Sequence, residues 1–141
     1  MSFENDFVKL SFDKKTQYVE IVPKKALPGN DEEFNSFLTY FDNFYQACDR
    51  INQKIILFYD LRELGLLKYE QYSKYTEFFK KNEKVSIKCL ICSSIICDNS
   101  LIANVINGIL LFYKNTKPIQ IFTTKEEAIK FINEQLLMSN C

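Results

Sequence analysis

A chain of 141 residues is enough for one domain, at roughly 100–200 residues per domain. With 47% hydrophobic and 26% charged residues and only three Gly and three Pro, it falls outside the disordered, collagen-like and disulfide-scaffold classes. Eighteen basic residues offset eighteen acidic ones, so no net field favours phosphate backbones, and the absence of histidine removes Ser-His-Asp and Cys-His catalysis and His-ligated metal.

The first periodic signal is Val8, Leu10 and Phe12 alternating with Lys9, Ser11 and Asp13, a half-buried strand that ends at Asp13-Lys14-Lys15-Thr16. A second strand, Tyr18 to Val22, completes a hairpin, and Pro23 stops it because proline cannot donate to a ladder. Leu27-Pro28-Gly29-Asn30 reads as a loop. From Asp31 the spacing of Phe34, Phe37, Leu38, Phe41, Phe44, Tyr45, Cys48 and Ile51 predicts a helix, with Asp31, Glu32 and Glu33 at the positive end of its dipole. Lys54 to Leu61 is an unbroken apolar run, the pattern of a central strand buried on both faces.

Tyr69, Tyr72, Thr76 and Phe79 mark a second helix that runs out in Lys80-Lys81-Asn82-Glu83-Lys84, and Ser86 to Ser93 reads as another central strand. Asp98, Asn99 and Ser100 offer caps for a third helix to about Tyr113. At about 13 residues, Leu101–Tyr113 is too short for the ~20 that span a bilayer, so a buried helix is expected. Pro118 opens a strand from Ile119 to Phe122, and Thr124-Lys125-Glu126-Glu127 is a capping box for a last helix. The order β-β-α-β-α-β-α-β-α predicts a single domain over 1–141, with right-handed crossovers and a mainly parallel sheet.

This order resembles the STAS family, the SpoIIAA-like fold of anti-sigma-factor antagonists, and is similar to CRAL-TRIO-type lipid-binding domains. The local pieces that carry the likeness are Ile55-Ile56-Leu57-Phe58-Tyr59-Asp60-Leu61-Arg62 and Ile119-Gln120-Ile121-Phe122-Thr123-Thr124-Lys125-Glu126-Glu127-Ala128-Ile129. The resemblance implies an α/β, SpoIIAA-like mixed, mainly parallel sheet of four to five strands with about four helices, serving as a non-enzymatic interaction module. Antagonists of the usual type carry Asp-Ser-Ser/Thr-Gly after the third strand, where this chain has Asp60-Leu61-Arg62-Glu63-Leu64-Gly65, so the phosphorylatable serine is missing.

Cysteines number five, an odd set (Cys48, Cys89, Cys92, Cys97, Cys141), and are expected as reduced core thiols. Cys89 and Cys92 form a C-x-x-C within the expected strand, where a three-residue offset puts them on opposite faces and away from redox or zinc geometry. Met1 to Asp6 lacks a signal-peptide pattern, and the expected location is cytoplasmic. Asp60, Arg62 and Glu63 stand at the carboxyl end of a central strand, where open α/β sheets place ligand sites; the bland alternative is a turn cap with surface ion pairs. Tyr69, Tyr72 and Tyr75 form a stripe on the second helix, either an exposed interface or aromatics packed inward with hydroxyls at the rim. Gly29, Gly65 and Gly108 build no phosphate-binding loop. Together these predict a regulatory protein-binding module without metal or cofactor. It would bind another protein or pair as a homodimer through Asp60, Arg62, Glu63, Tyr69, Tyr72 and Tyr75. The alternatives are a small-molecule or lipid-binding domain, or an enzyme using Asp60, Arg62 and Glu63.

Overall fold

A computed structural model of the chain describes residues 1–24, 31–65, 67–112 and 117–139. The elements in chain order are β1 (Ser2–Glu4), β2 (Val8–Asp13), β3 (Tyr18–Pro23), α1 (Asp31–Ile51), β4 (Ile55–Asp60), α2 (Tyr69–Lys81), α3 (Glu83–Cys89), β5 (Leu90–Ile96), α4 (Ser100–Phe112), β6 (Ile119–Phe122) and α5 (Lys125–Ser139). The strands form one sheet in the order β1-β2-β3-β4-β5-β6. Its first two pairings are antiparallel and the remaining three parallel. The mixed, mainly parallel α/β class therefore holds, but the expected four to five strands and about four helices become six strands and five helices among the described residues. The expected loop at Leu27–Asn30, Tyr113 and Cys141 lie outside the described residues.

Both extra elements are set by contacts far along the chain. Strand β1 has three residues and no periodic pattern of its own; it exists because Phe3 pairs with Leu10 and stacks on Tyr40 at 4.7 Å. Asn5 makes the turn between β1 and β2: its Oδ1 accepts the Phe7 and Val8 backbone N–H groups at 2.9 and 3.0 Å, and its Nδ2 donates to the Glu33 carbonyl. The second correction concerns Ser86–Ser93. Its first half is helix α3, and the strand runs from Leu90 to Ile96. Asn82 makes the joint: its backbone N–H caps α2 on the Phe78 carbonyl, while its side chain bonds Asp42 and Gln46 of α1. Beyond it Val85, Ser86 and Cys89, at helical spacing, turn inward, and the Ser86 hydroxyl meets that of Tyr45 at 3.1 Å.

Parallel strands laid down in chain order, with crossovers of constant hand, carry their connecting helices over one face of the sheet. Accordingly α1, α2, α3 and α4 supply Phe34, Phe41, Phe78, Val85, Cys89 and Ile102 to a single apolar cluster with Val8, Leu10, Val19, Ile21, Leu57 and Ile95. Helix α5 covers the opposite face, where Ala128 and Ile132 pack on Ile56, Phe58, Cys92 and Ile96. The Ser94 hydroxyl donates to the Ala128 carbonyl at 3.0 Å and fixes α5 on β5.

Helix α4 departs from expectation. Its sequence is apolar nearly all round and predicts a buried helix, yet within it Ile102 is fully covered, Val105, Ile106, Ile109 and Leu110 are half-buried, and Leu101 is 57% exposed. Its inner side rests on the main cluster through Ile102, Ala103 and Ile106, and the rest of it is less covered.

Candidate functional site

Parallel pairing puts the carboxyl ends of β3 to β6 along one edge of the sheet. At that edge Asp60 ends β4 and holds Arg62 in a fork. Arg62 Nε donates to Oδ1 at 2.9 Å, Nη2 to Oδ2 at 2.7 Å, and the Arg62 backbone N–H also reaches Oδ1 at 3.2 Å. The Arg62 hydrogen bond holds the Asp60 carboxyl below its ordinary pKa, against partial burial that acts the other way. Asp60 is thus an ionised acceptor committed to its neighbour, and it is poorly placed to act as a base. Glu63 lies exposed beside the pair.

The three tyrosines do not share a surface. Three-residue steps on a helix of 3.6 residues per turn rotate each side chain by roughly 60° from the last. Tyr69 is therefore outside, 83% exposed, while Tyr75 has swung in toward the sheet. The Tyr75 and Tyr59 hydroxyls lie 2.6 Å apart, and burial raises the pKa of both. Tyr72 sits between these extremes. Its hydroxyl oxygen is buried without a hydrogen-bond partner. Burial raises its pKa, and the Leu67 backbone, approaching outside hydrogen-bond geometry, offsets that only in part.

Tyr72 and Tyr75 face a cavity of about 180 Å³ between the sheet and helices α1, α2 and α4. Its floor is Ile21, Tyr59, Ile95 and Ile119; its walls are Phe34 and Phe37 of α1, Phe79 of α2, and Ile106, Ile109 and Leu110 of α4. Leu61, Leu64 and Leu67, from the connection that begins at the Asp60–Arg62 fork, close one end. Among the described lining residues Lys117 is the one that carries a charge.

Of the residues expected at the site, Asp60, Arg62 and Glu63 stand together at the strand ends, Tyr69 is on the surface, and Tyr72 and Tyr75 belong to the cavity. The lining of α4 and the leucines of the β4–α2 connection were not expected at a site. Their signal was there in the excess apolarity of Leu101–Leu110, more than one buried helix face needs.

Cys48, Cys89, Cys92 and Cys97 are free and buried. Burial pushes the Cys48 thiol up to about 11 and that of Cys92 to about 12, so neither is a thiolate at neutral pH. Cys89 ends α3 in the core under the helices, and Cys92 lies on the α5 side of β5; the pair is separated by the sheet. No group of three or more Cys, Asp or Glu side chains is placed to hold a metal among the described residues. No helix among them is long and apolar enough to cross a membrane. Comparisons with protein-family models, curated proteins and solved structures gave no match.

Proposed function

We propose that the protein is a non-enzymatic binding module that takes a small apolar molecule into the cavity under α4. The observation that carries this reading is a strongly apolar helix, α4, lying over a partly open cavity lined by aliphatic and aromatic side chains. Such a space is large enough to matter: a dry cavity of about 150 Å³ lined by Leu, Ile and Phe takes up benzene. Its size favours a compact molecule over the long-chain lipid that the CRAL-TRIO likeness would suggest. Binding is favoured over catalysis because the groups a reaction would use are committed: Asp60 to Arg62, and Cys48 and Cys92 to the core. The STAS-like assignment belongs to the same proposal, supported by the leading hairpin and the alternating strands and helices that follow it.

Toluene titrated into the protein is expected to bind saturably and raise the melting temperature. Occupancy at about 100 times the dissociation constant adds about 2.7 kcal/mol to stability. Amide exchange in α4 should slow in step. A filled cavity, made by Ile106→Phe, should abolish the response, and a wild-type protein indifferent to toluene would end the reading.

A second reading is docking of a protein, or of a second copy, at the edge formed by the ends of β4 and β5. One observation favours it: Arg62, Tyr69 at 83% exposure and Leu101 at 57% are available there, the first two being residue types of interface hot spots. Arg62→Ala with Tyr69→Ala should leave the melting temperature nearly unchanged and, on this reading, weaken association by about 1–4 kcal/mol, measured by sedimentation.

A further inference from the structure

We infer that two copies of this chain pair across a two-fold axis through the outer side of α4, Leu101 of each lying over Gly108 of the other. At 3.6 residues per turn, Leu101, Asn104, Val105 and Gly108 share one side of α4, turned away from the side that lays Ile102 and Ile106 on the main cluster. None of the four lines the cavity, so the inference stands apart from the binding reading above. The outward side of a surface helix is ordinarily charged or polar. Here Leu101 is 57% exposed, Val105 and Gly108 are half-buried, Asn104 is the one polar side chain, and α4 has no charged residue along its length. Gly108 is an independent observation. Glycine inside a helix is about 1 kcal/mol less favourable than alanine, and a Cβ there would meet nothing within 4 Å among the described residues. The packing of one chain therefore does not call for this glycine, whereas close approach by a group from outside does. Leu101 stands seven residues, about 10.5 Å, along the helix from it. An antiparallel copy crossing near Asn104 brings the leucine of each to the glycine of the other, so projection and hollow both lie on this one face. That self-complementarity commits the face to a second copy. A two-fold axis sets each helix beside its own charges, and α4 has none to repel. At the crossing the Asn104 amide both donates and accepts, which suits it to bond its counterpart. A membrane surface asks for basic residues beside an apolar face, and α4 has no Lys or Arg. One helix from each copy covers less than the roughly 800 Å² per partner of a standard interface, so the dimer is weak and reversible.

The test is sedimentation of the full chain over a rising series of concentrations, with melting temperatures measured alongside. The wild type is expected to shift reversibly from monomer to dimer. Gly108→Leu fills open space in the single chain and removes a helix-interior glycine, so it should melt no lower than the wild type while weakening the dimer by at least about tenfold. Asn104→Lys and Asn104→Glu, at an exposed position, should each sediment as a monomer, because the axis sets like charges together, and an equal mixture of the two should associate again. That rescue is specific to two copies meeting at α4 and does not depend on the Gly108 variant. A wild type that stays monomeric throughout overturns the inference; if it binds phosphatidylcholine vesicles instead, the face belongs to a lipid surface. A dimer that Gly108→Leu leaves intact, or Asn104 variants that associate no better mixed than alone, also overturns it. A dimer lost only in Arg62→Ala with Tyr69→Ala places the contact at the ends of β4 and β5 and overturns it in favour of that edge.

Discussion

Hydroxyl groups at Tyr59, Tyr75 and Tyr72 show how differently one chemical group behaves in one core. Tyr59 and Tyr75 share one hydrogen bond, so Tyr59→Phe strands the Tyr75 hydroxyl and should cost about 1–3 kcal/mol by urea denaturation. Tyr72→Phe removes a hydroxyl that has no partner and should leave stability unchanged or raise it by about 1 kcal/mol. The pH dependence follows from the same burial. The folded pKa of both Tyr59 and Tyr75 is raised above the ordinary 10.0, so their contribution is intact below that pH. Above it the unfolded chain loses protons that the folded chain retains, and stability falls as pH rises toward the folded values. Urea midpoints should therefore drop above about pH 10, less steeply in Tyr59→Phe, the slope being set by the protons released on unfolding. The Asp60–Arg62 fork was legible as a turn cap in Asp60-Leu61-Arg62, since a strand-ending aspartate two residues before an arginine needs only local geometry.

Elements were legible where one face dominated. The phenylalanines of α1, the apolar run of β4 and the Thr124 capping of α5, with the Glu127 N–H donating to Thr124 Oγ1 at 3.2 Å, carry their own instructions. The segment from Glu83 to Ile96 does not. A short apolar run fits a strand and a helix equally, and the choice at α3 was made by Asn82, held by Asp42 and Gln46 some forty residues earlier in the chain. At the start of β5 the register with β4 then shifts, from Ile55 opposite Leu90 to Leu57 opposite Ser93, an irregularity that sends both Ile91 and Cys92 to the α5 side. This assignment is testable with two substitutions that a strand over Ser86–Ser93 would not distinguish in the same way. Ile87 is 52% exposed on α3, so Ile87→Ala should fall within about 0.5 kcal/mol of wild type. Ile95→Ala, in β5 and 4% exposed, should cost about 2–5 kcal/mol. Both are read from urea denaturation curves.

For the whole molecule, the sheet divides two unequal cores. The larger joins four helices and the hairpin through an aromatic stack in which Phe41 lies 4.8 Å from Phe78; the smaller depends on α5 alone. Native-state hydrogen exchange should report this inequality. Amides of α1 should exchange through global unfolding, while those of α5, and of α4 in the absence of a ligand, should open at lower free energy. Equal protection across α1, α4 and α5 would mean that the two faces unfold as one unit.

The order of most strands and helices, the burial of β4 and the inward face of α1 were determined by the sequence alone, because periodicity and capping act over a few residues. What the tertiary structure decided was which rotation of α2 faces the sheet, whether Glu83–Cys89 coils, and how much of α4 is covered. The tyrosine stripe illustrates the difference. Its spacing was visible, but a three-residue step drifts around the helix, and the docking of α2 determined that Tyr69 meets solvent while Tyr75 meets Tyr59. The cavity is the clearest case, since its lining comes from strands β3 to β6 and from helices α1, α2 and α4, which lie far apart in the chain. No local pattern encodes that meeting; it is set by the packing of side chains brought together from all along the chain.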